Sequence, residues 1–183
     1  KDKTKVLIAY RLEPMGRGAA SKPEKLGYWV VDENMQKVAE KKIDIPFDRE
    51  NTEYRDFAVD NNGLPYVLLR VTETPDKKEK RGTKPRIHFE LYNLKDLSTK
   101  ILIPNDGKYI EDLALNNAND GTIIVAGLYS NTNTSKGSNG VVVYKLNTTT
   151  NSIAKLSNGF IEFPTSLIEK FEFARTKSKA EKA

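Results

Sequence analysis

Apolar and polar residues alternate along this chain with a period of two, in short runs bounded by Asn, Asp, Gly and Pro, the pattern of half-buried β-strands. The runs are Val6 to Leu12, Tyr28 to Asp32, Lys37 to Ile45, Tyr54 to Val59, Pro65 to Val71, Ile87 to Asn93, Thr99 to Ile103, Ile110 to Leu115, Thr122 to Tyr129, Val141 to Leu146 and Ile153 to Leu156. So many strands leave room for little helix, and an all-β fold is expected. After Leu156 the pattern changes. Phe160 to Phe163 reads as the first strand of a further unit, and Pro164-Thr165-Ser166 then opens a helix. Ser166 and Glu169 have capping-box spacing, while Leu167, Phe171 and Ala174 form one apolar stripe. Residues 1–163 are expected to form strand repeats and 164–183 a C-terminal amphipathic helix with a basic tail.

A repeat lies within the pattern. Tyr54-Arg55-Asp56-Phe57-Ala58-Val59-Asp60-Asn61-Asn62-Gly63 matches Ile110-Glu111-Asp112-Leu113-Ala114-Leu115-Asn116-Asn117, which Ala118-Asn119-Asp120-Gly121 follows. Each copy has an acidic residue, an apolar-Ala-apolar strand, a polar turn closed by glycine and a strongly apolar strand, Tyr66-Val67-Leu68-Leu69 or Ile123-Ile124-Val125-Ala126. The second half of the unit recurs at Tyr28-Trp29-Val30-Val31-Asp32, Phe89-Glu90-Leu91-Tyr92-Asn93 and Val141-Val142-Val143-Tyr144-Lys145. A shorter strand follows each of these, and two of the three end in Ile-Pro, at Ile45-Pro46 and Ile103-Pro104. Proline suits the end of an outer strand, where no ladder donor is needed.

The unit is therefore four antiparallel strands, present once without its first strand and twice complete. Phe57, Ala58 and Val59 are expected on an inner strand equivalent to that of Leu113, Ala114 and Leu115, with Val67, Leu69, Ile124 and Ala126 packing between neighbouring sheets. Over roughly residues 4–157 the repeat resembles the blade of β-propellers in general, without the motif of a particular propeller family. The resemblance implies a partial β-propeller of about three blades, built from successive four-stranded meanders; a β-sandwich is the alternative. Closed propellers use about four to eight blades. The chain is accordingly expected to be part of a larger propeller or to self-associate, because sheets bearing Trp29, Val30 and Leu68 need cover on both faces.

The composition then removes several kinds of chemistry. Among 183 residues there is no cysteine and one histidine, His88, which excludes disulfides, thiolate metal sites, cysteine nucleophiles and any mechanism built on a histidine pair. No apolar run approaches the roughly 18 residues a membrane-spanning helix needs, so no membrane span is expected. The net charge of +5 is local. Lys77, Lys78, Lys80, Arg81, Lys84 and Arg86 face only Glu73, Asp76 and Glu79, and the tail from Glu169 is also basic, while the rest of the chain is formally neutral.

Candidate chemistry is thin. His88 shares a strand face with Glu90 and Tyr92 and reads as an ordinary strand histidine. Asp56 and Asp112 hold the same place in two repeats; a ring of carboxylates there could bind a cation, but once-per-repeat residues usually cap the repeat's own backbone. The turns from Asp60 to Gly63 and Asn116 to Gly121 are rich in oxygen ligands but lack the carboxylate spacing of a calcium loop. Gly16-Arg17-Gly18 lacks the lysine and hydroxyl residue of a phosphate loop. No catalytic residue, metal site or cofactor is expected.

The connections between second and third strands are long, at Glu13 to Gly27, Glu73 to Arg86 and Ser130 to Gly140, and in up-and-down blades they emerge on one rim. The basic connection supplies the candidate partner-binding residues Lys77, Lys78, Lys80, Arg81, Lys84 and Arg86. The expected function is a non-catalytic binding or scaffold module for a protein or an acidic polymer. Nucleic acid is disfavoured, since no aromatic residue interleaves these cations. The alternatives are part of a propeller-fold glycosidase or lyase with catalytic residues partly outside this chain, and a structural component of a cell-envelope assembly. The absence of cysteine and the Asn/Thr-rich turns fit a secreted bacterial setting, periplasmic or at the cell surface.

Overall fold

A computed structural model describes residues 4–12, 25–45, 51–73, 86–95, 97, 100–118, 120–131 and 137–168. They fold into eleven antiparallel strands and a helical turn at 165–168. The strands form three sheets, each a meander in chain order. Sheet 1 holds β1 (Lys5–Leu12), β2 (Lys25–Asp32) and β3 (Lys37–Asp44). Sheet 2 holds β4 (Thr52–Val59), β5 (Pro65–Glu73), β6 (Arg86–Asn93) and β7 (Lys100–Leu102). Sheet 3 holds β8 (Tyr109–Asn117), β9 (Thr122–Ser130), β10 (Gly140–Asn147) and β11 (Ser152–Glu162).

The alternation read from the sequence decides which face each sheet buries. In β10, Val142, Tyr144 and Leu146 are fully buried, and the intervening Val141, Val143 and Lys145 point the other way. Strand β5 is buried on both sides, because sheet 2 lies between the other two. Tyr66 and Leu68 join Phe89, Leu91 and Ile101 against Leu113, Ile123, Val125, Val142 and Tyr144 of sheet 3. Val67 and Leu69 join Tyr92 and Leu94 against Leu26, Tyr28, Val30 and Ile43 of sheet 1. Burying each large side chain in this way is worth about 1.5–3 kcal/mol, so the two seams together dominate the stability of the stack.

The outward faces of sheets 1 and 3 carry apolar residues as well. On sheet 1, Val6 is 50% exposed, Ile8 and Trp29 are 39% exposed, and Tyr10 meets Trp29 edge-on. On sheet 3, Leu156 and Ile161 are 47% and 53% exposed. Trp29 thus faces away from sheet 2, whereas its neighbour Val30 is fully buried against it.

Two expectations are corrected. Ile124 and Ala126 do not pack between sheets 2 and 3; they are half-buried on the outward face, and Ile123 and Val125 hold the seam. The cause is register. Both hairpins carry a bulge beside the repeated aspartate, pairing Asp56 with Leu68 and Asp112 with Leu128. The β4–β5 hairpin closes at Val59 opposite Pro65, but β8–β9 runs on to Asn117 opposite Ile123. Laying Tyr66-Val67-Leu68-Leu69 on Ile123-Ile124-Val125-Ala126 therefore displaces the return strand by three residues from the register in which Leu128 takes the place of Leu68, and an odd displacement reverses the alternation. Phe160 to Phe163 likewise starts no new unit: β11 continues to Glu162, with Phe160 opposite Val142. Of the C-terminal helix only the turn at 165–168 is described, opened by Leu167 N–H donating to the Pro164 carbonyl at 2.8 Å. Phe171 and Ala174 lie outside the described residues.

Gly127 sits where the bulged strand approaches its partner. A Cβ there would lie 1.8 Å from the Asp112 carbonyl oxygen, so any side chain forces the backbones apart. Gly127→Ala is expected to destabilise as strongly as a core truncation. Leu68→Ala should cost about 2–5 kcal/mol, and Ile124→Ala about 1 kcal/mol. Denaturant unfolding of the three variants checks this ranking; equal losses for Leu68 and Ile124 would contradict the assignment of faces.

Candidate functional site

Sheets 2 and 3 meet along their first strands, and the repeated aspartates make the contact. The bulge turns the Asp56 side chain so that Oδ1 accepts the Phe57 N–H at 2.8 Å, while Oδ2 accepts the Leu115 N–H of β8 at 2.7 Å. Asp112 repeats the first bond with Leu113 N–H at 2.8 Å, and its carboxylate also receives Arg55 of β4, Nε to Oδ1 at 3.0 Å and Nη2 to Oδ2. At the other end of the pair, Asn117 Nδ2 donates to the Val59 carbonyl at 2.8 Å and to Asn61 Oδ1 at 3.0 Å. These contacts make β4 and β8 run side by side in the same direction. They also engage Asp56 with two backbone donors and Asp112 with a backbone and a guanidinium donor, the structural role expected of a once-per-repeat residue. Among the described residues no group of three or more acidic or histidine side chains is placed to hold a metal.

Arg55 extends the network to Glu53 Oε1 at 2.8 Å, and Arg70 reaches Glu53 Oε2 at 3.1 Å. Desolvation pushes the Glu53 carboxyl up, but hydrogen bonds from Arg70 and Arg55 outweigh it and hold the group below its usual value. Glu53 and Asp112 are half exposed, so these pairs steer geometry more than they stabilise.

A second cluster gathers around a carboxylate buried on the face of sheet 2 that carries Tyr92 towards sheet 1. Glu90 is 3% exposed. Its Oε2 accepts the Tyr92 hydroxyl at 2.6 Å, and its Oε1 faces His88 Nε2 at 2.8 Å and takes the Lys100 ammonium from β7. His88 Nδ1 stands 3.5 Å from Glu73 Oε1. Desolvation raises the Glu90 carboxyl, yet the hydrogen bonds from Lys100, Tyr92 and His88 together hold it below the ordinary glutamate range. Burial first, then the Glu90 carboxylate, pushes the Tyr92 hydroxyl up. The period-two pattern places His88, Glu90 and Tyr92 on one face. Lys100 and Glu73 were invisible to it, because cross-strand register brings them in.

The basic connection is reached only at its margins. Lys77, Lys78, Lys80, Arg81 and Lys84 lie outside the described residues. Arg86 is described: it opens β6, is exposed, and stands opposite Glu73 across the β5–β6 ladder. With β4 and β8 parallel, β5 and β9 end at the same end of the stack. Strand β1 does so too, since Lys5 at its start lies against Gly63 in the β4–β5 turn. All three connections between second and third strands therefore leave from one end.

The opposite end carries the tight turns. Asp60 Oδ1 accepts the Asn62 and Leu64 N–H groups at 2.9 and 2.7 Å. Asp120 Oδ1 accepts from Thr122, and Lys145 Nζ reaches Oδ2 at 2.9 Å; these two partners, Thr122 first, pull the carboxyl down to about 2. The oxygen-rich turns are thus closed by their own backbone and side-chain donors. Between them opens a cleft of about 220 Å³, lined by Thr4 and Lys5 of the β1 start, residues 57–61 and residues 115–117. Sequence reading missed it, for it arises only where three strand ends converge.

Glu90 supplies a pH signature. Its proton is held less tightly in the folded chain than in the unfolded one, so its ionisation favours folding above the ordinary value of 4.5, and that contribution is lost as the pH falls through the depressed folded value. Glu90→Gln is expected to be less stable than the parent at pH 7 and to lose less stability between pH 5 and 3, as measured by urea unfolding at several pH values. An unchanged pH slope would remove Glu90 from this role. The chain matches no protein-family model, no curated protein and no solved structure, so what it does rests on the geometry described above.

Proposed function

We propose that the three meanders are blades of a propeller-type stack and that the chain is a non-catalytic binding or scaffold module, which engages a protein or anionic polymer through the basic connection between β5 and β6. The observation that carries this reading is the middle sheet, covered on both faces by neighbours of the same meander type, with the first strands of sheets 2 and 3 side by side. That arrangement gathers the three long connections at one end and makes them a common rim. The charged groups described near this end are engaged with one another, Arg55 with Asp112 and Glu53, His88 with Glu73 and Glu90. They serve the scaffold, and recognition falls to the rim cations, with Arg86 anchoring the strand that leaves it.

Attraction between such cations and an acidic partner is screened beyond about 8 Å at physiological salt. Binding to immobilised polyglutamate or heparin is therefore expected at low salt and to weaken steeply as salt rises. Reversal of Lys78, Lys80, Arg81 and Lys84 to glutamate should abolish capture and leave the unfolding free energy within about 0.5 kcal/mol of the parent. Capture that is unchanged in the reversed protein would refute the assignment.

A further inference from the structure

Sheet 1 differs from its neighbours in one respect that shapes a binding site. In sheets 2 and 3 the long apolar strands β5 and β9 are flanked by the first strands β4 and β8, whereas the corresponding edge of β1 pairs with no strand among the described residues. In the stack β1 takes the place of β5. It packs along β4 as β5 packs along β8, and it starts against the Gly63 turn. The 220 Å³ cleft opens at this point, beside Lys5 and the ends of β4 and β8.

We propose that the open edge of β1 and this cleft accept an added β-strand from outside residues 1–183, carrying the pattern acidic, apolar, Ala, apolar. The contact between β4 and β8 supplies the template. There Asp56 takes the Leu115 N–H, and Asn117 donates to the Val59 carbonyl and to Asn61. One repeat earlier, Val59 stands where Leu115 stands and Asn61 where Asn117 stands. Strand β4 thus offers a strand on its other flank the donors that β8 offers to β4. The two first strands, Asp56-Phe57-Ala58-Val59 and Asp112-Leu113-Ala114-Leu115, define what fits. An aspartate reaches the Val59 N–H. A small residue faces β4, as buried Ala58 faces sheet 3 in the contact between β4 and β8. The flanking apolar residues fall on the face of Val6 and Ile8 and cover part of them. Main-chain pairing supplies affinity and the aspartate supplies register, the mode of strand addition to an exposed sheet edge. The inference rests on the sheet topology and stands apart from the role of the basic connection.

The test uses the full chain and a fluorescent peptide with the sequence of residues 52–61. Saturable one-to-one binding is expected, with new amide-exchange protection in β1 and a shifted Val59 amide resonance. Peptides with Asp56→Ala or Ala58→Trp should bind roughly tenfold more weakly or worse, as loss of a charged hydrogen bond or a steric clash requires, and a peptide N-methylated at alternate residues should not bind. Because every change is in the peptide, the folding of the protein is not at stake. Absence of saturable binding at millimolar peptide, protection mapping to β3, β7 or β11 instead of β1, or occupation of the β1 edge by a second copy that the peptide cannot displace would each overturn the proposal.

Discussion

The carboxylate of Asp56 does two things at once, and the arrangement of the sheets depends on both. One oxygen takes the N–H of the next residue, which holds open a bulge; the other takes an N–H from the strand of the following sheet. A bulge costs a ladder hydrogen bond and bends its strand, so it persists only where something fills its freed donors. With the aspartate in place, the bend aims the first strand along its neighbour rather than across it. Small residues sit beside both bulges: Ala58 on the face of β4 that meets sheet 3, and Gly127 against the Asp112 carbonyl within the β8–β9 hairpin.

Two seams of different character result. The seam between sheets 2 and 3 is almost wholly apolar, closed at its outer margin by the Tyr144 hydroxyl donating to the Pro104 carbonyl. The seam between sheets 1 and 2 includes Glu90, a buried carboxylate that only its hydrogen bonds and the Lys100 charge make tolerable. A buried ion pair adds little net stability over an apolar filling, but removing one partner is expensive. Glu90 therefore fixes the position of β6 against β7 more than it strengthens the seam.

Strand identity, meander order and the structural role of the repeated aspartates were legible in the sequence, because each is written within a few residues: period-two alternation, turn glycines, Ile-Pro ends. What failed was anything that depends on register over a distance. Ile124 and Ala126 were misassigned because the hairpins differ in length while their bulges coincide, and the apolar runs Tyr66 to Leu69 and Ile123 to Ala126 match in composition while lying an odd number of residues out of register. Strand β11 was ended too early because the alternation changes after Leu156; Gly159, at a φ of 73°, lies within the strand where its pairing with β10 shifts register. The cleft at the β1 start and the reach of Lys100 and Glu73 to the His88 cluster depend on which strand ends converge, and no local pattern encodes that.

The outward apolar faces of the stack are not alike. Sheet 1 presents Val6, Ile8 and Trp29 beside a strand edge that no other described strand pairs; sheet 3 presents Leu128, Leu156 and Ile161 on a sheet with its first strand in place. A body whose front and back differ in this way cannot bury both faces about a two-fold axis. A two-fold pair covers one face and leaves the other bare; copies that cover both must stack front to back, which gives the contact a direction and builds rings or fibres.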